Sequence, residues 1–116
     1  MPLLQKLQTD DPFFEQKTVA LQRLYEVIDP ELFVNIMDLG LVYGIEFTPA
    51  QKILVTMTLS TPHCPLGEAI QEGVKNKLLQ EFPTYQVQTV IVWTPAWSLE
   101  NVSDEGRKLL GMPPKG

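Results

Sequence analysis

The spacing of apolar side chains predicts a helix near the start of the chain. Asp11-Pro12 is a typical helix start, and Asp29-Pro30 ends the helix because a residue before proline is pushed out of the helical region. Between them, apolar residues recur at helical spacing, and these are Leu21, Leu24, Tyr25 and Ile28. We therefore predict helix one from about Phe13 to Val27, followed by a structured loop over residues 29–40.

Alternation of apolar and polar residues then predicts two strands in succession. Their apolar positions are Leu41, Tyr43, Ile45 and Phe47 in the first strand and Ile53, Val55, Met57 and Leu59 in the second. Only a short polar turn, residues 48–52, separates them. The two strands are therefore predicted to form an antiparallel hairpin.

The rest of the pattern predicts a helix, a third strand and a short final helix. Helix two runs from about Leu66 to Glu81, and its stripe is Leu66, Ala69, Ile70, Gly73, Val74, Lys77 and Leu78. Strand three covers about Tyr85 to Thr94, residues 95–100 form a turn, and Ser103 caps a helix that Gly111 closes. The order α-β-β-α-β-α excludes a doubly wound parallel sheet. It predicts an α+β fold, a small mixed sheet with helices packed on one face.

Length and composition predict one folded domain. The 116 residues are 44 % hydrophobic and 20 % charged, which are ordinary globular values. We expect a ragged segment over residues 1–11 and a single domain over residues 12–112. The net charge of -5, with scattered basic residues, argues against nucleic acid as a partner.

The chain is expected in the cytoplasm. No apolar run approaches the roughly 18 residues that span a bilayer, and Met1-Pro2-Leu3-Leu4 lacks the features of a signal peptide. A lone cysteine forms no internal disulfide, which agrees with a reducing compartment.

That cysteine, Cys64, is the first candidate for chemistry. It lies between strand two and helix two, where free backbone N–H groups and the helix dipole favour a thiolate. The structural alternative is a small buried apolar side chain. One thiol makes only part of a metal site, so any iron or iron-sulfur cluster would be transient and shared, with no tightly bound cofactor.

For the other candidate residues, the sequence leaves both a functional and a structural role open. His63 either supplies an imidazole to metal or faces solvent. Asp38 either completes the ligand set or closes its loop by hydrogen bonds, whereas for Asp29 a structural role as the cap that stops helix one is favoured. Trp93 is predicted in the core, and Trp97 belongs either to the core or to a partner-binding surface.

Four spaced motifs resemble the SufT-like and PaaD-like family, also called the MIP-type or metal-sulfur cluster biosynthesis family. They are Asp29-Pro30-Glu31, residues 35–43 (Asn35 to Tyr43), residues 57–65 (Met57 to Pro65) and residues 92–97 (Val92 to Trp97). The resemblance implies an iron-sulfur cluster assembly-type domain, with Cys64 as its reactive or metal-contacting cysteine and Asp38 as the acidic residue of its Asp-Leu-Gly motif. His63 departs from the family pattern, in which glycine is commoner.

The resemblance implies a non-enzymatic accessory factor for iron-sulfur cluster assembly or transfer. Its partners would be the assembly machinery and client apo-proteins, and a shared half-site would be completed by a client or in a homodimer. Two alternatives stay open. One is a metal-free adaptor that recruits clients through residues 93–97, and the other is an assembly accessory of a multicomponent oxygenase.

Overall fold

The computed structural model describes residues 9–59 and 67–113. In chain order its elements are α1 (Phe14–Leu24), β1 (Val42–Thr48), β2 (Lys52–Met57), α2 (Gly67–Glu81), β3 (Gln86–Ile91), a 3-10 helix (Leu99–Asn101) and α3 (Asp104–Leu109). The predicted α+β class and element order are confirmed. Among residues 9–59 and 67–113, every helix is too short or too polar to span a bilayer.

The three strands form one mixed sheet in the order β1-β2-β3. β1 and β2 are antiparallel, as predicted for a hairpin, and Thr48 pairs with Lys52 beside the turn. β2 and β3 are parallel, with Lys52 opposite Gln86 and Met57 opposite Ile91. A parallel pair needs a crossover connection, and α2 lies in that connection. The carboxyl ends of β2 and β3 therefore meet at the same edge of the sheet.

One buried cluster joins the sheet to the helices. Burial alternates along β2 because successive side chains point to opposite faces. The cluster takes Leu21 and Leu24 from α1, Ile45 and Phe47 from β1, Ile53, Val55 and Met57 from β2, and Ile70, Val74 and Leu78 from α2. In α2, however, Ala69 is exposed, so the predicted stripe is wrong at that position.

Helix α1 is shorter than predicted, because other backbone contacts replace its last turn. It ends at Leu24 instead of near Val27, and Ile28 is 51 % exposed, so its predicted place on the apolar face is wrong. Ile36 N donates to the Val27 carbonyl at 2.9 Å, and Ile28 forms an isolated bridge with Asn35. Residues 27–36 therefore form a closed loop.

Strand β3 is also shorter than predicted. It ends at Ile91 instead of near Thr94, and β2 ends at Met57, before the predicted Leu59. Val92 N still donates to the Met57 carbonyl at 2.9 Å, but no further strand pairing follows in the described part of the chain. The predicted turn at residues 95–100 contains the start of the 3-10 helix.

Candidate functional site

Asp29 organises the first half of the loop before β1. Its side chain is buried, and Oδ1 accepts hydrogen bonds from the backbone N–H groups of Glu31 at 2.7 Å and Leu32 at 3.2 Å. Its carbonyl accepts one from Phe33 N at 2.8 Å. Buried carboxylates need such partners. The role of Asp29 is structural, as predicted, although it caps this loop and not helix α1.

Asp38 joins the second half of the same loop to the start of α3. Its Oδ1 accepts a hydrogen bond from Ser103 Oγ at 2.6 Å, and its Oδ2 accepts one from Asn35 Nδ2 at 2.7 Å. Its backbone N–H donates to Asn35 Oδ1 at 2.8 Å, and its carbonyl accepts from Ser103 N at 2.7 Å. Both carboxylate oxygens of Asp38 thus have hydrogen-bond donors, one of them 65 residues away in the sequence.

Ser103 has a second role, as the N-cap that the sequence predicts. Its Oγ accepts a hydrogen bond from Gly106 N at 3.0 Å, which satisfies a free amide of the first turn of α3. The helix lies very close to the loop, because a Cβ on Gly106 would be 3.0 Å from the Asp38 carbonyl oxygen and 2.8 Å from Val102 Cγ1. Only glycine fits this contact without a shift of its neighbours.

The segment after β3 folds back over the loop as well. The Trp97 indole N–H donates to the Leu39 carbonyl at 2.7 Å, and the Tyr43 hydroxyl donates to the Pro95 carbonyl at 2.8 Å. Gly40 has φ +74°, and a Cβ there would collide with the backbone carbonyl of Asn101. Residues 35–43 and 92–97, two of the four sequence motifs, are therefore in direct contact.

These contacts surround the edge of the sheet at which β2 ends. Thr58 N donates to the Leu41 carbonyl at 2.8 Å, so the residue after β2 pairs with the residue before β1. Leu59 lies against the first residue of α2, since a Cβ on Gly67 would be 2.7 Å from Leu59 Cδ1. The residues on either side of segment 60–66 thus lie together at this edge.

Cys64 and His63 belong to segment 60–66 and lie outside the described residues. The predictions that Cys64 is a thiolate and that His63 is a ligand therefore stay predictions. Among residues 9–59 and 67–113, no three His, Cys, Asp or Glu side chains are grouped closely enough to hold a metal ion.

Two polar side chains near Asp38 and the end of β2 have unusual surroundings. Burial raises the pKa of Tyr25 above its ordinary value, and the negative charge of Asp38 raises this pKa further. Thr58 is fully buried, and its Oγ1 has no hydrogen-bond partner among the residues that the structure describes. Both side chains are thus shielded from water, Tyr25 in part and Thr58 completely.

The two tryptophans differ in their surroundings. Trp93 is 47 % exposed, so the prediction that it lies in the core is wrong. Trp97 is partly buried against the core, and its indole N–H is bonded to the Leu39 carbonyl. Of the two, Trp93 is the more exposed to a partner protein.

Sequence reasoning missed Asn35, Tyr25 and the contact between Asp38 and Ser103. The Asn35-x-x-Asp38 spacing is a local signal, because short polar side chains at this separation bond within a loop. For Tyr25, the pattern predicts only a place on the apolar face of helix one. The hydrogen bond between Asp38 and Ser103 is not predictable from the spacing of these residues in the sequence, since it depends on where α3 packs.

A family model described as iron-sulfur cluster assembly protein matches residues 17–92. Among curated proteins, the chain is 40 % identical over 87 residues to the Fe-S protein maturation auxiliary factor SufT of Staphylococcus aureus, covering 74 % of this chain and 98 % of that protein. It is 36 % identical over 89 residues to the Fe-S protein maturation auxiliary factor YitW of Bacillus subtilis, covering 77 % and 87 %. A similarly named protein of Porphyromonas gingivalis is 31 % identical over 102 residues, covering 88 % and 97 %.

Solved structures have the same fold. A domain of unknown function from Bacillus anthracis is 34 % identical, with a TM-score of 0.76, and the match covers 82 % of this chain and 91 % of that one. A conserved hypothetical protein from Thermotoga maritima is 32 % identical, with a TM-score of 0.68, covering 80 % and 91 %.

Proposed function

The chain belongs to the iron-sulfur cluster assembly protein family, and from this premise we propose that it is an auxiliary factor in the maturation of iron-sulfur proteins. The observation that carries the proposal is the match to three proteins named as Fe-S protein maturation auxiliary factors, each covered over 87 to 98 % of its length. The resemblance of the four sequence motifs points to the same role. The cluster is the cargo of this protein, which assists its delivery without catalysing a reaction.

We assign the contact with the cargo to Cys64. Helix α2 begins at Gly67, three residues after Cys64, and runs for 15 residues. The first N–H groups of such a helix have no partner within the helix, and its dipole is positive at that end. Both effects lower the pKa of a nearby thiol, and the thiolate is the form that binds metal.

The proposed site is incomplete within one chain. Clusters are commonly held by four thiolates, and this chain has one cysteine. His63, adjacent in sequence, is the second candidate ligand. The remaining ligands would come from a client apo-protein, the assembly machinery, a second copy of the chain or a small thiol, so the cargo would be held transiently.

The proposal is tested in cells that lack the chromosomal copy of the gene. Such cells are complemented with the wild type, Cys64→Ala, His63→Ala or Thr61→Ala, and the specific activity of an iron-sulfur client enzyme is measured against its protein level. Cys64→Ala is expected to leave most of the client as apo-protein. His63→Ala tests the second candidate ligand. Thr61→Ala, in the same segment but with no ligand role assigned to it, is the matched control that separates the thiol from a general disturbance of the segment. Full client activity with Cys64→Ala contradicts the assigned role of the thiol.

A second candidate function, a metal-free adaptor for clients, is favoured by the exposure of Trp93. No charged residue occurs between Glu81 and Glu100, so Trp93 lies within an uncharged part of the sequence. Large aromatic side chains often contribute most to binding at interfaces. In this function, Trp93→Ala abolishes capture of a purified client apo-protein and Cys64→Ala leaves capture intact. Equal capture by the wild type and Trp93→Ala rules the adaptor function out.

A further inference from the structure

We infer that Asp38 is a positioning residue: its carboxylate holds the loop before β1 against the start of α3, and so fixes the end of β2 from which the Cys64 segment departs. The inference rests on the proposed function only where it takes Cys64 as the working thiol. It decides between the two roles, ligand and loop closure, that the sequence leaves open for Asp38.

In the hydrogen bonds around the Asp38 carboxylate, every donor meets an acceptor. An ionised carboxylate only accepts, and Asp38 accepts from the Ser103 hydroxyl at 2.6 Å and from the Asn35 amide at 2.7 Å. The Ser103 hydroxyl has one hydrogen, which it gives to Asp38, while its oxygen accepts from Gly106 N at 3.0 Å. The O–H···O⁻ distance lies in the range of the stronger, charge-assisted bonds. Direct binding of metal by this carboxylate would compete with these contacts.

Backbone hydrogen bonds connect the loop before β1 to the end of β2. After Asp38 the chain turns at Gly40, and Leu41 N donates to the Ile36 carbonyl at 3.0 Å. The Leu41 carbonyl then accepts from Thr58 N at 2.8 Å. Thr58 lies six residues before Cys64 in the sequence. A loop that loses its hold on α3 therefore also loosens the backbone at Thr58, from which the chain continues toward Cys64.

An exchange of two side chains separates a positioning role from a ligand role. In Asp38→Asn alone, the side chain keeps one acceptor oxygen for two donors, the Asn35 amide and the Ser103 hydroxyl. Whichever way the new amide is turned, one of these donors loses its acceptor. In the double variant Asn35→Asp/Asp38→Asn, the amide at position 38 donates to the carboxylate at position 35. Its oxygen still accepts from Ser103, and the carboxylate at position 35 still accepts from the backbone N–H of residue 38. All the hydrogen bonds return, but the negative charge has left position 38.

The main readout is the alkylation rate of Cys64 by iodoacetamide in the purified full chain, with client maturation in cells as the second. We expect Asp38→Asn to change the alkylation rate and to lower client maturation, each by about tenfold, as is typical when a supporting hydrogen bond is lost. The double variant is expected to return both values to within a factor of about two of the wild type, since its hydrogen bonds are complete. If the double variant stays as defective as Asp38→Asn, or if Asp38→Asn alkylates like the wild type, the inference is wrong.

Ser103→Ala tests the same contact without altering Asp38. A positioning role predicts that it resembles Asp38→Asn in both readouts, whereas a ligand role predicts near-normal maturation. Ser98→Ala is the matched control, because Ser98 caps the 3-10 helix through Glu100 N at 3.3 Å and has no bond to Asp38. Normal thiol reactivity in Ser103→Ala overturns the inference even if Asp38→Asn fails to fold.

The outcomes also separate this inference from the proposed function. If Cys64→Ala supports full client maturation but the alkylation rates follow the hydrogen bonds, the role of Asp38 stands and the assigned role of the thiol fails. If Cys64→Ala abolishes maturation and the double variant is not rescued, the role of the thiol stands and the positioning role fails.

Discussion

The phenol of Tyr25 reports on the charge of Asp38. Burial is the larger cause of its raised pKa, and the charge of Asp38 is the smaller one. We therefore expect Asp38→Asn to lower the pKa of Tyr25 while leaving it above the ordinary value. An ultraviolet absorbance titration of the wild type and the variant, each compared with the same chain carrying Tyr25→Phe, measures this difference.

The same pKa predicts a loss of stability in alkali. A folded-state pKa above the unfolded value of 10.0 means that the contribution of Tyr25 is present below that pH and is lost as the pH rises through the folded value. Tyr25→Phe is expected to remove this part of the alkaline loss. Urea unfolding midpoints across the alkaline range measure it, and identical pH dependence in both proteins contradicts the assignment.

The buried hydroxyl of Thr58 predicts a stabilising substitution. The Thr58 hydroxyl has no partner among residues 9–59 and 67–113, and a buried donor without a partner costs about 1 to 3 kcal/mol. Thr58→Val is therefore expected to raise the free energy of unfolding by about 1 kcal/mol. Thr89→Val is the matched control with the opposite sign, because the Thr89 hydroxyl donates to Gln71 Oε1 at 2.7 Å. Urea denaturation measures the free energy of unfolding of both variants against the wild type. If Thr58→Val lowers it as much as Thr89→Val does, the Thr58 hydroxyl has a hydrogen-bond partner and the prediction is wrong.

At the scale of elements, two glycines separate backbone conformation from close packing. Gly40 and Gly111 both have φ +74°, but only at Gly40 would a Cβ collide with another segment, whereas nothing lies within 4 Å of the corresponding Cβ at Gly111. Gly111→Ala is expected to cost about 1 to 2 kcal/mol for the left-handed backbone alone. Gly40→Ala is expected to cost about 1 to 3 kcal/mol more, because residues 99–101 must move. If urea denaturation gives the same loss in free energy of unfolding for both variants, residues 99–101 move at no cost and close packing at Gly40 does not contribute.

Elements set by local signals were predictable from the sequence. Alternation gave the hairpin, and Ser103 with Gly111 bounded α3, since caps act within one turn. The end of α1 was not predictable in this way, because Ile28 has helical spacing but residues 27–36 bond to one another instead. The exposure of Trp93 was also missed, since its apolar character alone does not show where β3 stops.

At the scale of the whole molecule, the site depends on contacts between distant segments. The sequence motifs identified Asp38 and the 92–97 segment, and the structure brings them to the sheet edge where β2 ends. The bond between Asp38 and Ser103 spans 65 residues and follows from the packing of α3 against the loop. The spacing of residues along the chain does not predict that packing. The proposed role of Cys64 still rests on its sequence position before α2.

The most direct test of the central claim is cluster transfer with purified components. The wild type and Cys64→Ala are treated with iron and sulfide under anaerobic conditions, freed of unbound ions, and mixed with the apo-form of an iron-sulfur client enzyme, whose recovered activity is followed with time. We predict that the wild type activates the client and that Cys64→Ala, folded by circular dichroism, does not activate it above the level without protein. Equal activation by both proteins would contradict the claim that this thiol contacts the cargo.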